Sequence, residues 1–289
     1  MKSCALVCCS DGRKAEERET ISLLKSALSG AGLICNEYGS LFRRDGCCCP
    51  ASPQERAAAL NKAFADNNNY IFDISGGNIA NELLPYIDFD AIASSRSELW
   101  GYSDLTSILN AVYALTGRQT VLYQIKNIVG ECSEIQTERF SSFLAGKGED
   151  LFSPEIKPFY GQPVGGTVIG GNLRCFLKLA GTPYFPETED RLLLLESLSA
   201  DEAALRAGLA QLHQMGVFGK IRGIILGSFS RLTKEGRKDL AAEIVCDLTD
   251  GRIPVMQTDD IGHAPSSKAI RLGFHLRSEQ KPRGTDLQV

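Results

Sequence analysis

The chain opens with a short apolar run, "CALVCC", that stops at polar Ser10-Asp11-Gly12. A run of that length, ended that abruptly, predicts a buried strand. "AEERETISLLKSALSGAG" then spaces its apolar residues as one face of a helix and closes on glycine, and "LICNEY" predicts a second strand. Ser52, Pro53 and Glu55 open "SPQERAAALNKAFAD". A capping serine, a proline at the first helical position and a glutamate completing a capping box mark a helix start. The alternation continues through "YIFDI" (strand), "NELLPYI" (short helix), "LWGY" (strand), 104–115 (helix) and "TVLYQI" (strand). Alternating strands and helices predict a doubly wound, mainly parallel sheet. Ligands of such sheets gather beyond the carboxyl ends of the strands. Ser75-Gly76-Gly77 and Ser103 both fall at such ends.

From about Lys126 to Gly161 the pattern turns polar, mixed and weakly periodic, which predicts a connection between domains. A second alternating stretch follows. "GGNLRCFLKLAGTP" and "DEAALRAGLAQLHQMG" read as helices, as does "KEGRKDLAAEIVCDL". "RLLLLE", "IRGIILGSF" and "IPVMQT" read as strands, and "AIRLGFHL" as a last strand before a polar tail. The expected fold is therefore α/β with two domains. Residues 1–125 form the N-terminal doubly wound domain, 126–165 the connection and 166–289 a smaller C-terminal α/β domain.

Composition narrows the partners. The 289 residues, 43% hydrophobic and 23% charged, suffice for a proper core in one large or two modest domains. A net charge of −4 gives no reason to expect nucleic acid or an anionic membrane surface as partner. No apolar run approaches the ~18 residues of a membrane span. "MKSCALVCCSDG" is too short for a signal peptide, so a cytoplasmic location is expected. Ten cysteines include no C-x-x-C pair, and no metal site is expected. Cys4, Cys8, Cys35, Cys175 and Cys246 sit in apolar patterns as small hydrophobes, and all ten read as reduced thiols. Gly76-Gly77 and Gly170-Gly171 have neither GxGxxG nor Walker spacing, so no cofactor is expected.

Candidate chemistry comes down to three residues. Of three histidines, His213 borders a packed helix face and His275 alternates within the terminal strand; both read as structural. His263, in "TDDIGHAPSS", lies in a loop just past a strand end, where sites are built. Glu196 ends the four-leucine strand "RLLLLE". A carboxylate there is costly unless paired, so it either caps the next helix or orients a histidine. Ser103, between "LWGY" and a helix, either caps that helix or stands on a nucleophile elbow. An α/β-hydrolase elbow needs glycine two residues after the serine; position 105 is leucine, which sets that fold aside.

With these residues in view, the chain resembles the LD-carboxypeptidase family of serine peptidases, which includes the microcin C self-immunity peptidases. The resemblance is carried in order by "SGGNIANELLPYIDFDAI", "GYSDLTSILNA", "VIGGNLRCFLKLAGTPYFP", "LLLLES", "LAQLHQMGVFGKIRGIILGSF" and "DIGHAP". The first of these looks closer to the microcin-immunity branch than to the murein-recycling branch. The resemblance implies Ser103 as nucleophile, His263 as general base and acid, and Glu196 as its orienter. It implies an oxyanion hole from the backbone N–H groups of Gly77 and Asp104. Asn78 is a candidate substrate-binding residue, and because the substrates implied carry an anion beside the scissile carbonyl, so are Arg96, seven residues ahead of Ser103, and Arg174, on the helix after Gly170-Gly171, the arginines nearest in sequence. It also implies a homodimer. The substrate would be a murein tetrapeptide losing its terminal D-Ala, as in peptidoglycan recycling, or an aminoacyl-nucleotide amide. A non-catalytic binding relative is the third reading. The chain departs from the family pattern at "SSRSELW", "LYQIKN", Cys9-Ser10 and Cys47-Cys48-Cys49, all on the presumed substrate side.

Overall fold

A computed structural model describes residues 2–278. The first half alternates as its pattern predicts: β1 (Lys2–Val7), α1 (Arg18–Gly30), β2 (Leu33–Glu37), α2 (Pro53–Ala65), β3 (Tyr70–Asp73), α3 (Phe89–Ser94), β4 (Glu98–Gly101), α4 (Thr106–Thr116) and β5 (Thr120–Leu122). The capping box forms at α2. The Glu55 N–H donates to Ser52 Oγ, and the Ser52 N–H donates back to Glu55 Oε2. "NELLPYI" adopts a 3-10 helix, Ala80–Tyr86, rather than an α-helix, with Pro85 inside it. The five strands are parallel, in the order β5-β4-β3-β1-β2.

The weakly periodic segment after β5 is more ordered than its pattern suggests. It carries helix α5 (Ser133–Leu144) and strand β6 (Lys157–Tyr160). Phe140 and Phe143 of α5, with Phe152, pack around Trp100 of β4 at ring-centroid distances of 6.2, 5.4 and 5.5 Å. The segment thus closes one face of the first sheet.

The second half contributes β7 (Gly166–Asn172), α6 (Leu173–Leu177), β8 (Arg191–Ser197), α7 (Glu202–Gln214), β9 (Gly223–Phe229), α8 (Ser230–Lys234), α9 (Leu240–Thr249) and β10 (Val255–Gln257). β7, β8, β9 and β10 are parallel, and β6 pairs antiparallel with β10. The expected single last strand is two. β11 (Ile270–Leu272) joins the edge of the first sheet against β5, and β12 (His275–Leu276) joins the second against β7. Gly273 makes the switch in a left-handed conformation, and a β-carbon there would collide with the Tyr113 ring.

Between the two sheets lies α4, with every residue from 106 to 112 buried. Its apolar side chains share one core with Leu122 of the first sheet and with Val168, Leu192, Leu194 and Ile225 of the second. Asn110 bonds it to β7 twice: its Nδ2 donates to the Gly170 carbonyl and its Oδ1 accepts the Gly170 N–H, each at 2.8 Å. α4 is therefore fixed to both halves. Among the described residues, no helix is long and apolar enough to cross a membrane.

Candidate active site

β4 ends at Gly101, and the chain turns through Tyr102 and Ser103 before α4 begins. Ser103 has φ +55°, the left-handed region that a residue with a β-carbon occupies at a cost of about 1–2 kcal/mol. Its hydroxyl makes no cap bond to the helix. It donates instead to His263 Nε2 at 3.2 Å. The turn is thus a strained elbow rather than a helix cap. Leu105 is compatible with it because the missing side chain is upstream: a β-carbon at Gly101 would lie 2.8 Å from Leu105 Cβ.

His263 sits in the loop beyond β10, and Glu196 near the end of β8. His263 Nδ1 lies 2.6 Å from Glu196 Oε2, with the two side chains 4% and 1% exposed. An ionised carboxylate only accepts, so it places the imidazole proton on Nδ1 and leaves Nε2 to accept from Ser103. The other oxygen, Glu196 Oε1, accepts from Asn172 Nδ2 at 3.0 Å. Glu196 caps no helix; both its oxygens serve this chain of bonds. Asn172, which sequence reading passed over, faces Glu196 across the β7–β8 pair and its own N–H donates to Thr106 Oγ1 of α4. The Tyr102 ring packs on the imidazole at 4.4 Å, and burial together with the Glu196 charge pushes its phenol up, so it stays neutral.

The turn after β3 brings Gly77 to the same place. The N–H groups of Asn78, Ile79 and Ala80 are taken by Asp11 Oδ1, Ser10 Oγ and Asp104 Oδ2. The Gly77 carbonyl accepts from Arg174 Nη2 at 3.0 Å. Asp104 is fully buried, and its carboxylate accepts from Ser10 Oγ, the Ala80 N–H and Lys178 Nζ. It ties the loop after β1, the turn after β3 and the residue following α6 together beside Ser103. Lys178 is the second residue missed, one helical turn after Arg174, and its Nζ also donates to the Asn78 carbonyl. Arg96 is not brought to this place. It is exposed and precedes β4, whereas Ser103 follows it, so the whole strand separates them.

Helix α5 holds the histidine loop from behind. Gln136, fully buried, donates through Nε2 to the carbonyls of Pro265 and Ser267, and its Oε1 accepts from the Tyr123 hydroxyl. Arg139 Nη1 donates to the Ser266 carbonyl. Three hydrogen bonds from α5 thus tie down the loop that follows His263.

Ser103, His263, Gly77, Asn78, Asn172, Arg174 and Lys178 open onto one cavity of about 680 Å³, whose far wall is α7. That volume suits a ligand of a few hundred daltons. Residues 4–123 match the LD-carboxypeptidase N-terminal domain, and 165–277 the LD-carboxypeptidase C-terminal domain. The chain is 30% identical to a Vibrio cholerae protein named as a carboxypeptidase, over 81% of this chain and 80% of that one. It is 28% identical to the microcin C7 self-immunity protein MccF of Escherichia coli, over 77% and 75% of the two chains. A solved muramoyltetrapeptide carboxypeptidase of Oxalobacter formigenes shares the fold, with TM-score 0.77 and 21% identity over 95% of this chain and 94% of that one. A solved MccF in complex with aspartyl sulfamoyl adenosine does so with TM-score 0.82 and 22% identity, over 95% and 92%. The chain belongs to the LD-carboxypeptidase family of serine peptidases.

Proposed function

We propose that this carboxypeptidase cleaves an amide bond beside a terminal carboxylate, with Ser103, His263 and Glu196 as its catalytic triad. The observation that carries the reading is the unbroken chain of bonds from Glu196 through His263 to Ser103, opening onto a cavity with Arg174 and Lys178 on its wall. Ser103 Oγ attacks the scissile carbonyl while His263 Nε2 takes its proton. The oxyanion is received by the N–H groups of Gly77 and Asp104; losing one such donor typically costs ~100- to 1,000-fold in rate. The C–N bond then breaks as His263 returns the proton to the leaving amine. Water, deprotonated by His263, hydrolyses the acyl-enzyme and restores Ser103. Glu196 stabilises the imidazolium in both halves, and Asn172 steadies Glu196.

The substrate proposed is a murein tetrapeptide, which would lose its terminal D-Ala in the cytoplasm. Its free carboxylate would be met by Arg174, with Asn78 at the cavity rim. A second reading, an aminoacyl-nucleotide amide, draws on the likeness to the microcin C7 self-immunity protein. Incubating the purified protein with each compound and following D-Ala or free amino acid by mass spectrometry separates the two. Ser103→Ala is expected to lower kcat by several orders of magnitude, and Glu196→Gln by about 10⁴-fold. Undiminished turnover by Ser103→Ala would remove the nucleophile assignment. Release of neither product by the wild type would leave a non-catalytic relative. The homodimer implied by the resemblance is tested by sedimentation at micromolar concentration.

A further inference from the structure

The loop carrying Cys47, Cys48 and Cys49 takes no part in the chemistry above, yet two of its thiols are poised to react. Cys47 Sγ and Cys49 Sγ lie 2.7 Å apart, inside van der Waals contact, so nothing stands between them. Both are half-buried and therefore reachable, and Cys48 is exposed. Donors converge on the pair: the Cys49 N–H on Cys47 Sγ and Arg44 Nη2 on Cys49 Sγ, each at 3.4 Å. The Cys49 thiol, then its N–H, and finally the Arg44 charge hold the Cys47 thiol below the ordinary cysteine range. Cys8, Cys9 and Cys175, by contrast, are pushed up by burial, and buried protonated thiols are inert.

The loop is also tied to the oxyanion turn. The Cys48 carbonyl accepts the Gly12 N–H at 2.8 Å. Next to Gly12, Asp11 Oδ1 accepts the Asn78 N–H at 3.0 Å, and its carboxylate packs against Gly77 so closely that no β-carbon fits there. Arg43 grips the junction, with Nε on the Gly12 carbonyl and its guanidinium 3.5 Å from Asp11. A rearrangement at Cys48 thus reaches Gly77 through two hydrogen bonds.

We propose that Cys47 and Cys49 form a thiol-modification site, a dithiol that a low-molecular-weight disulfide such as glutathione disulfide closes to an intramolecular disulfide, displacing the Gly77 turn. The Cys47 thiolate attacks one glutathione sulfur, breaking that S–S bond and expelling one glutathione thiolate. The Cys49 thiolate then attacks the Cys47 sulfur of the mixed disulfide and expels the second. Two electrons pass to glutathione disulfide, and the two protons of the protein thiols end on the two glutathiones. The sulfurs must close from contact to the ~2.05 Å of a disulfide, a movement of a fraction of an ångström. An effect on turnover rests on the function proposed above; the thiol chemistry and the movement of the turn do not.

The test exposes wild type, Cys48→Ser, Cys47→Ser and Cys49→Ser to glutathione disulfide, blocks free thiols with iodoacetamide and digests with trypsin. All three cysteines fall in one tryptic peptide, 45–56. In the wild type and Cys48→Ser this peptide is expected to lose two hydrogens, with no alkyl group at 47 or 49. Cys47→Ser and Cys49→Ser should not close in this way. Amide exchange of residues 75–80 in closed Cys48→Ser should change about fivefold, the worth of one hydrogen bond. Turnover of the wild type should fall and return with dithiothreitol. A persistent glutathione adduct, or oxidation confined to Cys4 and Cys35, would overturn the site. Unchanged exchange at 75–80 would overturn the coupling. A protein without peptidase activity would still give the peptide and exchange results.

Discussion

Ser103 holds its hydroxyl against His263 by keeping its backbone in a region that serine avoids. That strain makes a prediction which contact-counting would miss. Ser103→Gly removes the β-carbon that the left-handed conformation penalises, so it should stabilise the fold by about 1 kcal/mol even as it abolishes turnover. Calorimetry would read this as a Tm increase of roughly 2 °C for a chain of this size. A fall in Tm would mean that the hydroxyl contributes more to stability than the strain costs. At this scale the sequence signals a residue out of keeping with its surroundings. His263 stood out because, of three histidines, it alone lies in a loop just past a strand end, and Glu196 because a carboxylate closing four leucines needs a partner. Asn172, Gln136 and Lys178 carried no such signal, since each is a type common on surfaces. Their importance appears only when β7 is set beside β8 and α6 beside the Gly77 turn. Arg96 misled for the converse reason: nearness in sequence spans a strand, and a strand's two ends lie at opposite ends of the sheet.

Helix α5 was the hardest element to read, and its side chains show why. Ile135 is 42% exposed while neighbouring Gln136 is fully buried, the inverse of an amphipathic pattern. Gln136 is inside because three polar partners await it there: two loop carbonyls and the Tyr123 hydroxyl. Gln136→Ala should leave those carbonyls unpaired, destabilising the protein by about 1–3 kcal/mol. Its mark on function should be a lowered kcat with KM little changed, because His263 loses its footing while the cavity walls stay. Hydrogen exchange should quicken at residues 263–267 and not along α4. Equal acceleration in both would reduce Gln136 to a general stability residue. α4 was legible for the opposite reason. Its apolar run is dense because it is covered on both sides, and the sequence marks its start even though the serine there does not cap it.

For the whole molecule, the two alternating halves were visible, but their joining was not. "AIRLGFHL" has the continuity of one strand, and only the left-handed Gly273 divides it between sheets. With α4 packed between the layers and β11 closing the first sheet, the halves should unfold together. Fluorescence of Trp100, the single tryptophan, reports the first sheet, and far-ultraviolet circular dichroism reports both. The two transitions should coincide. Leu272→Ala, at a fully buried position of β11, should lower both midpoints in step, at a cost of about 2–5 kcal/mol. Separate transitions would show that the halves are independent.

The late arrival of β11 also bears on how the molecule comes into being. During translation the sheet that carries Ser103 lacks its edge strand until residues 270–272 have left the ribosome, and His263 follows Ser103 by 160 residues. At ~5–20 residues per second, that gap lasts roughly ten to thirty seconds. Throughout it the nascent chain carries a serine with no base to activate it. Under the mechanism proposed, hydrolytic power is acquired in a single late step, when the last stretch of chain stitches the two sheets together.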